Sequence, residues 1–274
     1  MATTQIHNEQ LTSLLNRVKR TQTVGGKSQD QVLSCILKCR DGRAIVTSLV
    51  KDGLTSLSRM SIPIDALTDG EFFITDIDTL LGVLKYHSTI LTLEQDGDKL
   101  RIKSSNKQTT LSASSEALAF PHNPKTLREW TNTSESIASK LQRDANLHYK
   151  YVAPNDEIYA SLILKTDALT LYEAFRCDSM NGQKINRYRI YSDTDGYKVE
   201  TGKMLKGQTS SMIRPCEPTY DIDASFEGGL ENLLSNYNGD VNINFFNFSE
   251  YGQGWKILFD FGNGDYVFQS SIVE

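Results

Sequence analysis

Ile74 to Ser112 read ITDIDTLLGVLKYHSTILTLEQDGDKLRIKSSNKQTTLS, and the periodicity of this stretch decides the fold. Ile77, Leu80, Leu81 and Leu84 stand at i, i+3, i+4 and i+7, which predicts one apolar stripe of a short helix. Thr75 and Asp78 have the spacing of a capping box at its start. After Ser88 the period drops to two. Leu91 and Leu93 alternate with polar residues, Asp96-Gly97 marks a turn, and Leu100 and Ile102 alternate again, so the helix feeds a β-hairpin.

The arrangement recurs later in the chain. Leu230, Leu234, Val241 and Ile243 take the places of Leu80, Leu84, Leu91 and Leu93. Upstream, the stripe Leu11, Leu14, Leu15 and Val18 returns as Ala168, Leu171, Tyr172 and Phe175, and the turn Asp41-Gly42 returns as Asp195-Gly196. Three landmarks thus repeat in order with offsets between 150 and 157, a drift that loop lengths absorb, and the chain reads as two diverged copies of one helix-and-sheet unit.

Composition agrees with that division. A chain of 274 residues is long enough for two domains with cores of their own, and 39% hydrophobic with 23% charged residues is ordinary for a globular protein. No apolar run approaches the roughly 18 residues that cross a bilayer, so no membrane partner is expected. MATTQIHNEQ lacks the basic and apolar parts of a secretory signal, which points to the cytoplasm. Cys35, Cys39, Cys177 and Cys216 are scattered, with Cys35 and Cys39 on one face of a strand, and are expected as reduced thiols. A net charge of -5 argues against a protein that simply coats nucleic acid and confines any DNA contact to a local basic patch.

In chain order, a helix is predicted over residues 8–20, then the loop TQTVGGKSQD. Strand-like runs follow in VLSCILKCR, AIVTSLV, LTSLSRMSI and FFITD. Residues 1–113 form the first unit. Residues 114–155 hold three prolines, many Ser, Thr and Asn, and one helix around Ile137, Ala138 and Leu141; they read as a connector. Residues 156–274 repeat the first unit, with helices over 166–177 and 228–237 and three closing strands.

Catalytic chemistry finds no centre in this sequence. Gly25-Gly26-Lys27-Ser28 resembles the tail of a phosphate loop, but Thr21 stands where that loop needs glycine and a strand follows where it needs a helix. The histidines His7, His87, His122 and His148 lack metal-ligand spacing. Asp76 with Asp78, and Asp221 with Asp223, are read as acids at helix starts, where they meet the helix dipole. Neither metal nor cofactor is expected, and a hydrolase has no nucleophile motif to stand on.

Two tandem units of paired helices and antiparallel strands, joined by a long connector, resemble DNA polymerase sliding clamps of the trimeric type, and among them most those of tailed phages. ITDIDTLLGVLKYHSTILTLEQDGDKLRIK is similar to the clamp segment that closes the first domain, and DYVFQSSIVE looks like a clamp's C-terminal strand. The resemblance implies an α+β chain of two clamp domains, non-enzymatic, closing as a homotrimeric ring around duplex DNA. Its partners would be DNA polymerase and the clamp loader ATPase, and in a phage it would work in the host cytoplasm. On the helices it places Arg17, Lys19, Arg20, Lys85 and Arg176 toward DNA, although ENLLSNYN of the fourth helix supplies no Lys or Arg. Between connector and outer sheet it places a partner groove with Leu49, Leu54, Phe120 and Phe268. Ring closure would pair the strand around Lys107 to Ala113 with that around Thr209 to Arg214 of the next subunit, removing exposed edges. A non-enzymatic viral interaction or structural module is the competing reading.

Overall fold

The computed structural model describes residues 2–19, 21–24, 27–30, 32–50, 56–65, 69–120, 124–176, 187–203 and 207–272. The first half opens with β1 (Ala2–His7) and α1 (Asn8–Val18), followed by the antiparallel pair β2 (Thr21–Val24) and β3 (Lys27–Asp30). Next come β4 (Cys35–Arg40), β5 (Arg43–Leu49), β6 (Ser56–Pro63), β7 (Gly70–Ile74) and α2 (Ile77–Leu84). β8 (Ile90–Asp96), β9 (Lys99–Ser104) and β10 (Lys107–Ser112) complete it. Asp41 and Gly42 both adopt positive φ, the conformation a two-residue hairpin turn requires, and so fix the β4–β5 register.

Local chemistry sets the helix ends. α2 is capped by Asp76, whose carboxylate accepts from Thr79 N at 2.8 Å, one residue after the Thr75 that the spacing favoured. At its other end Asn8 donates from Nδ2 to Leu84 O (2.9 Å) and His87 O (3.1 Å), filling carbonyls the helix leaves free. The first residue of α1 therefore terminates α2.

The stretch 124–160 holds a helix and a small sheet of its own. α3 (Leu127–Ala138) begins with a full capping box between Thr126 and Glu129 and is followed by the three-stranded sheet of β11 (Leu141–Arg143), β12 (Tyr149–Ala153) and β13 (Asp156–Tyr159). That sheet carries past residue 155, the end of the expected connector, and Leu141, expected in the helix, opens its first strand.

The second half holds β14 (Leu162–Asp167), α4 (Ala168–Arg176), β15 (Arg187–Asp193), β16 (Gly196–Lys203), β17 (Gly207–Pro215), β18 (Asp223–Glu227), α5 (Glu231–Ser235), β19 (Asp240–Asn247), β20 (Trp255–Asp260) and β21 (Tyr266–Ser270). Asp223 starts a strand and chelates Arg189 through Nε (2.6 Å) and Nη2 (2.7 Å), so the Asp221 and Asp223 pair does not open a helix.

Pairing exposes the repeat at full depth. The order β1-β8-β9-β10 is matched by β14-β19-β20-β21, and β7-β4-β5-β6 by β18-β15-β16-β17, all antiparallel. The halves join where β21 pairs with β6, Tyr266 opposite Arg59 and Phe268 opposite Leu57, which makes one eight-stranded sheet. One face of that sheet and the helices share an apolar core spanning both halves, from Leu11, Leu14 and Leu15 to Ile243, Phe245 and Phe259. Cys35 and Cys39 face into it from β4 as free thiols, and burial pushes them up to about 12 and about 11. The other face carries a second core under α3 and the small sheet, built on Leu57, Tyr149, Phe246, Leu258 and Phe268.

Candidate nucleic-acid interface and open sheet edges

The helices of the two halves form one row, with α1 packed against α2 and α5, and α5 against α4. Their apolar stripes are spent on the core: Leu11, Leu14, Leu15 and Val18 of α1 and Leu171, Ala174 and Phe175 of α4 are all buried. What remains outward among the described residues is mostly polar, Leu169 of α4 at 63% exposure excepted, and carries little positive charge. Lys85 is exposed just after α2, beside Tyr86 at 72% exposure, while Glu9, Asp78 and Glu173 lie exposed on the same row. Lys19, after α1, has its Nζ 2.5 Å from Asp78 and so is largely neutralised.

Arg17 does not face outward at all. Only 9% exposed, it runs inward from α1 to the β6–β21 seam, where Nη1 lies 3.4 Å from Asp265 Oδ2 and Nη2 donates to Ser61 O at 3.2 Å. Its expected role toward DNA is thereby corrected to a tie between the two halves: helix position 17 points at the seam, and a guanidinium can span the gap to a buried carboxylate there. Arg20 lies outside the described residues. Arg176 ends α4, but its side chain is likewise outside them.

β10 and β17 are among the edge strands of the open sheets. β10 pairs with β9 alone, and most of its side chains are exposed or half-exposed; β17 pairs with β16 alone. Behind β10, His87 bridges two strands, its Nδ1 3.0 Å from Ser104 Oγ and its Nε2 2.9 Å from Thr109 Oγ1. Burial and, after it, the charge of Lys107 hold the imidazole below its ordinary value.

No protein-family model and no curated protein matches the chain. Solved structures do. The DNA polymerase III beta subunit of Thermotoga maritima aligns with a TM-score of 0.59 at 12% identity, covering 99% of this chain and 65% of its own. The DNA polymerase sliding clamp of Bacillus subtilis gives 0.63 at 11%, covering 100% and 64%. The PCNA of A. fulgidus, solved with the C-terminal region of FEN-1 bound, gives 0.57 at 12%, covering 100% of this chain and 99% of the PCNA chain. This is the sliding-clamp fold. The chain spans about two thirds of the bacterial beta subunits it resembles and nearly all of the archaeal PCNA chain.

On this clamp fold the expected partner groove needs correction. Phe268 is 1% exposed, stacked on Tyr151 with centroids 5.9 Å apart, and Leu49 belongs to the same core. Phe120 is 2% exposed and meets Trp130 of α3 edge-on at 5.3 Å. Leu49 and Phe268 pack the sheet against α3 and the small sheet, and Phe120 packs on α3, where the expectation placed a groove between connector and sheet. Leu54 lies outside the described residues. The legible signal was the Thr126-x-x-Glu129 box, which announces α3 and with it an amphipathic helix that must cover something.

Proposed function

We propose that this chain is a DNA polymerase processivity clamp, three copies of which close head to tail into a ring around duplex DNA and tether the polymerase by topology. The observation that carries the proposal is the pairing of β21 with β6. In the internal repeat β21 is the counterpart of β10, and β6 is the counterpart of β17, so the chain already contains, paired, the strands equivalent to its edge strands β10 and β17. Repeating that junction between subunits would put β10 of one copy against β17 of the next, antiparallel. Carrying the register across through the hairpins sets Gln108 opposite Ser210, as Tyr266 stands opposite Arg59. A heterologous contact of this kind repeats until the ring closes and leaves neither edge open.

Length supports three copies: the chain is similar to a PCNA over nearly the whole PCNA chain, yet to only about two thirds of each bacterial beta subunit. The helical row would then line the hole. With Lys19, Arg20, Lys85 and Arg176 as the remaining candidates and acids among them, contact with phosphate would be sparse, which favours sliding over gripping. Domains of residues 1–113 and 156–274, a connector of 114–155, the likeness to clamps of tailed phages, a place in the host cytoplasm, and recruitment of a polymerase and a loader ATPase belong to the same proposal. Its test is the mass in solution at micromolar concentration, by light scattering or sedimentation. The expected value is three times 30.8 kDa, and a species that stays at 30.8 kDa throughout would leave the interaction-module reading in its place.

A further inference from the structure

Positive charge gathers at a place that neither the helical row nor the strand edges use. Arg40 closes β4 and Arg43 opens β5, cross-strand partners on either side of the Asp41-Gly42 turn, and Arg59 stands on β6 opposite Thr47 and Tyr266. The alternation that buries Cys39, Ala44 and Met60 against the helices sends these three arginines to the other face of the sheet. There they line a cavity of about 540 Å³ together with Lys38 and Arg143. It lies at the turn end of the strands, and Leu49, at the far end of β5, is outside it.

Five cations thus share one concavity with a single carboxylate on its wall, Glu135, in a chain whose net charge is -5. Two of the five are compensated. Lys38 Nζ sits between Glu135 (2.7 Å) and Glu71 (3.4 Å), and Arg143 Nη2 is 3.1 Å from Asp260. Arg40, Arg43 and Arg59 make no ion pair among the described residues. Asp265, whose carboxyl Arg43 influences from a distance, is already engaged by Arg17 and Ser61. Arg59 Nη1 donates to Gly264 O at 2.6 Å, Arg43 Nη2 donates to Ser61 Oγ at 2.5 Å, and Arg43 Nε is buried without an acceptor. A guanidinium carries five N–H donors, so most of this capacity is unspent, and like charges in one concavity repel unless an anion joins them. A buried donor left unmade costs free energy that a bound acceptor recovers.

We infer that this cavity is a binding site for a polyphosphate chain, free or carried by a nucleoside, held by Arg40, Arg43 and Arg59. The planar guanidinium fork matches phosphate oxygens in pairs, and linked phosphates offer more acceptors and more charge than a lone carboxylate. Spacing favours a chain of them. Arg43 and Thr47, the residue opposite Arg59, are separated on β5 by roughly 13 Å at about 3.3 Å per residue, so linked phosphates reach more of the arginines than one orthophosphate does. The volume is that of a small-ligand site. Duplex DNA is disfavoured by place, since the cavity is on the sheet face turned away from α1 and α5. Ile45 and Leu141 on the wall are what a nucleoside would meet beside the phosphates. The site involves no second subunit and holds for a monomer as for a ring.

Calorimetric titration of sodium tripolyphosphate into the full chain at low ionic strength tests it, with ATP, orthophosphate and citrate as further arms. The expected result is one site per chain, weakened by added salt, with orthophosphate and citrate at least about tenfold weaker than tripolyphosphate. Arg40→Gln should lose about tenfold in affinity, and adding Arg59→Gln should lose more, while Arg187→Gln on exposed β15 changes nothing. Arg40 has no ion pair to lose among the described residues, so its variant keeps the thermal melt. ATP binding tighter than tripolyphosphate assigns the site to a nucleotide, and equal or weaker binding to the free chain. The inference is overturned if tripolyphosphate gives no saturable binding, if citrate or a short glutamate peptide binds as tightly, or if Arg40→Gln with Arg59→Gln keeps the native affinity.

Discussion

Replacing Phe268 by alanine should cost about 3 to 5 kcal/mol of unfolding free energy, the usual range for a fully buried aromatic, read from urea midpoints. The residue is 1% exposed among Tyr151, Phe246 and Leu57, so its truncation leaves a cavity; a partner-contact role would instead leave the midpoint unmoved. His87 supplies a pH dependence. Its folded value is depressed by burial, so the stability it supports is complete above the free value of 6.5 and is lost as pH falls from there through the depressed folded value. Between about pH 7.5 and 5 the melting temperature of the native chain should drop more than that of His87→Gln, and parallel curves would remove the imidazole from the account. Residue by residue, the sequence was legible wherever a side chain had one possible job: Cys35 and Cys39, small and on one strand face, are in the core as expected. Arg17 was not legible. A long side chain at a helix end reads as surface charge until the fold brings Asp265, 248 residues away, beneath it.

Among the elements, α3 is the one whose start is chemically explicit. Thr126→Ala removes the hydroxyl that accepts from Glu129 N, one arm of the capping box, while the Thr126 N–H to Glu129 carboxylate arm stays; it should cost about 1 kcal/mol, with faster amide exchange along Trp130 to Ala138. Unchanged exchange there would mean that packing alone holds the helix. Arg128 and Lys38 both reach Glu71 and hold its carboxyl below the ordinary range, which ties α3 to the sheet beneath. The helical row carries a different expectation. Lys85→Glu with Arg176→Glu should lower DNA affinity and reduce the log-salt slope by about 2 while assembly is unchanged; an identical slope would take both residues off the DNA path. Periodicity made α1, α2, α4 and the hairpins readable, because each buries one stripe or one strand face. It could not reveal that α3 and the strands after it fold back onto the sheet: the apolar positions of α3 are few, and the face it covers belongs to strands distant in sequence.

For the whole molecule, the repeat was readable from three landmarks, and among the described residues the structure extends it to the strands of both halves other than β2 and β3. The seam was not readable, since nothing local in β6 or β21 says that they pair with each other across 204 or more residues. That seam is the template for the proposed ring. The most direct measurement is therefore a cysteine pair at the equivalent position between subunits, Gln108→Cys with Ser210→Cys, oxidised at micromolar concentration beside each single variant. The account predicts a denaturing-gel ladder of one, two and three chains that stops at three and is absent from both single variants. A double variant that stays at one chain, or a ladder that runs on without stopping, would contradict it.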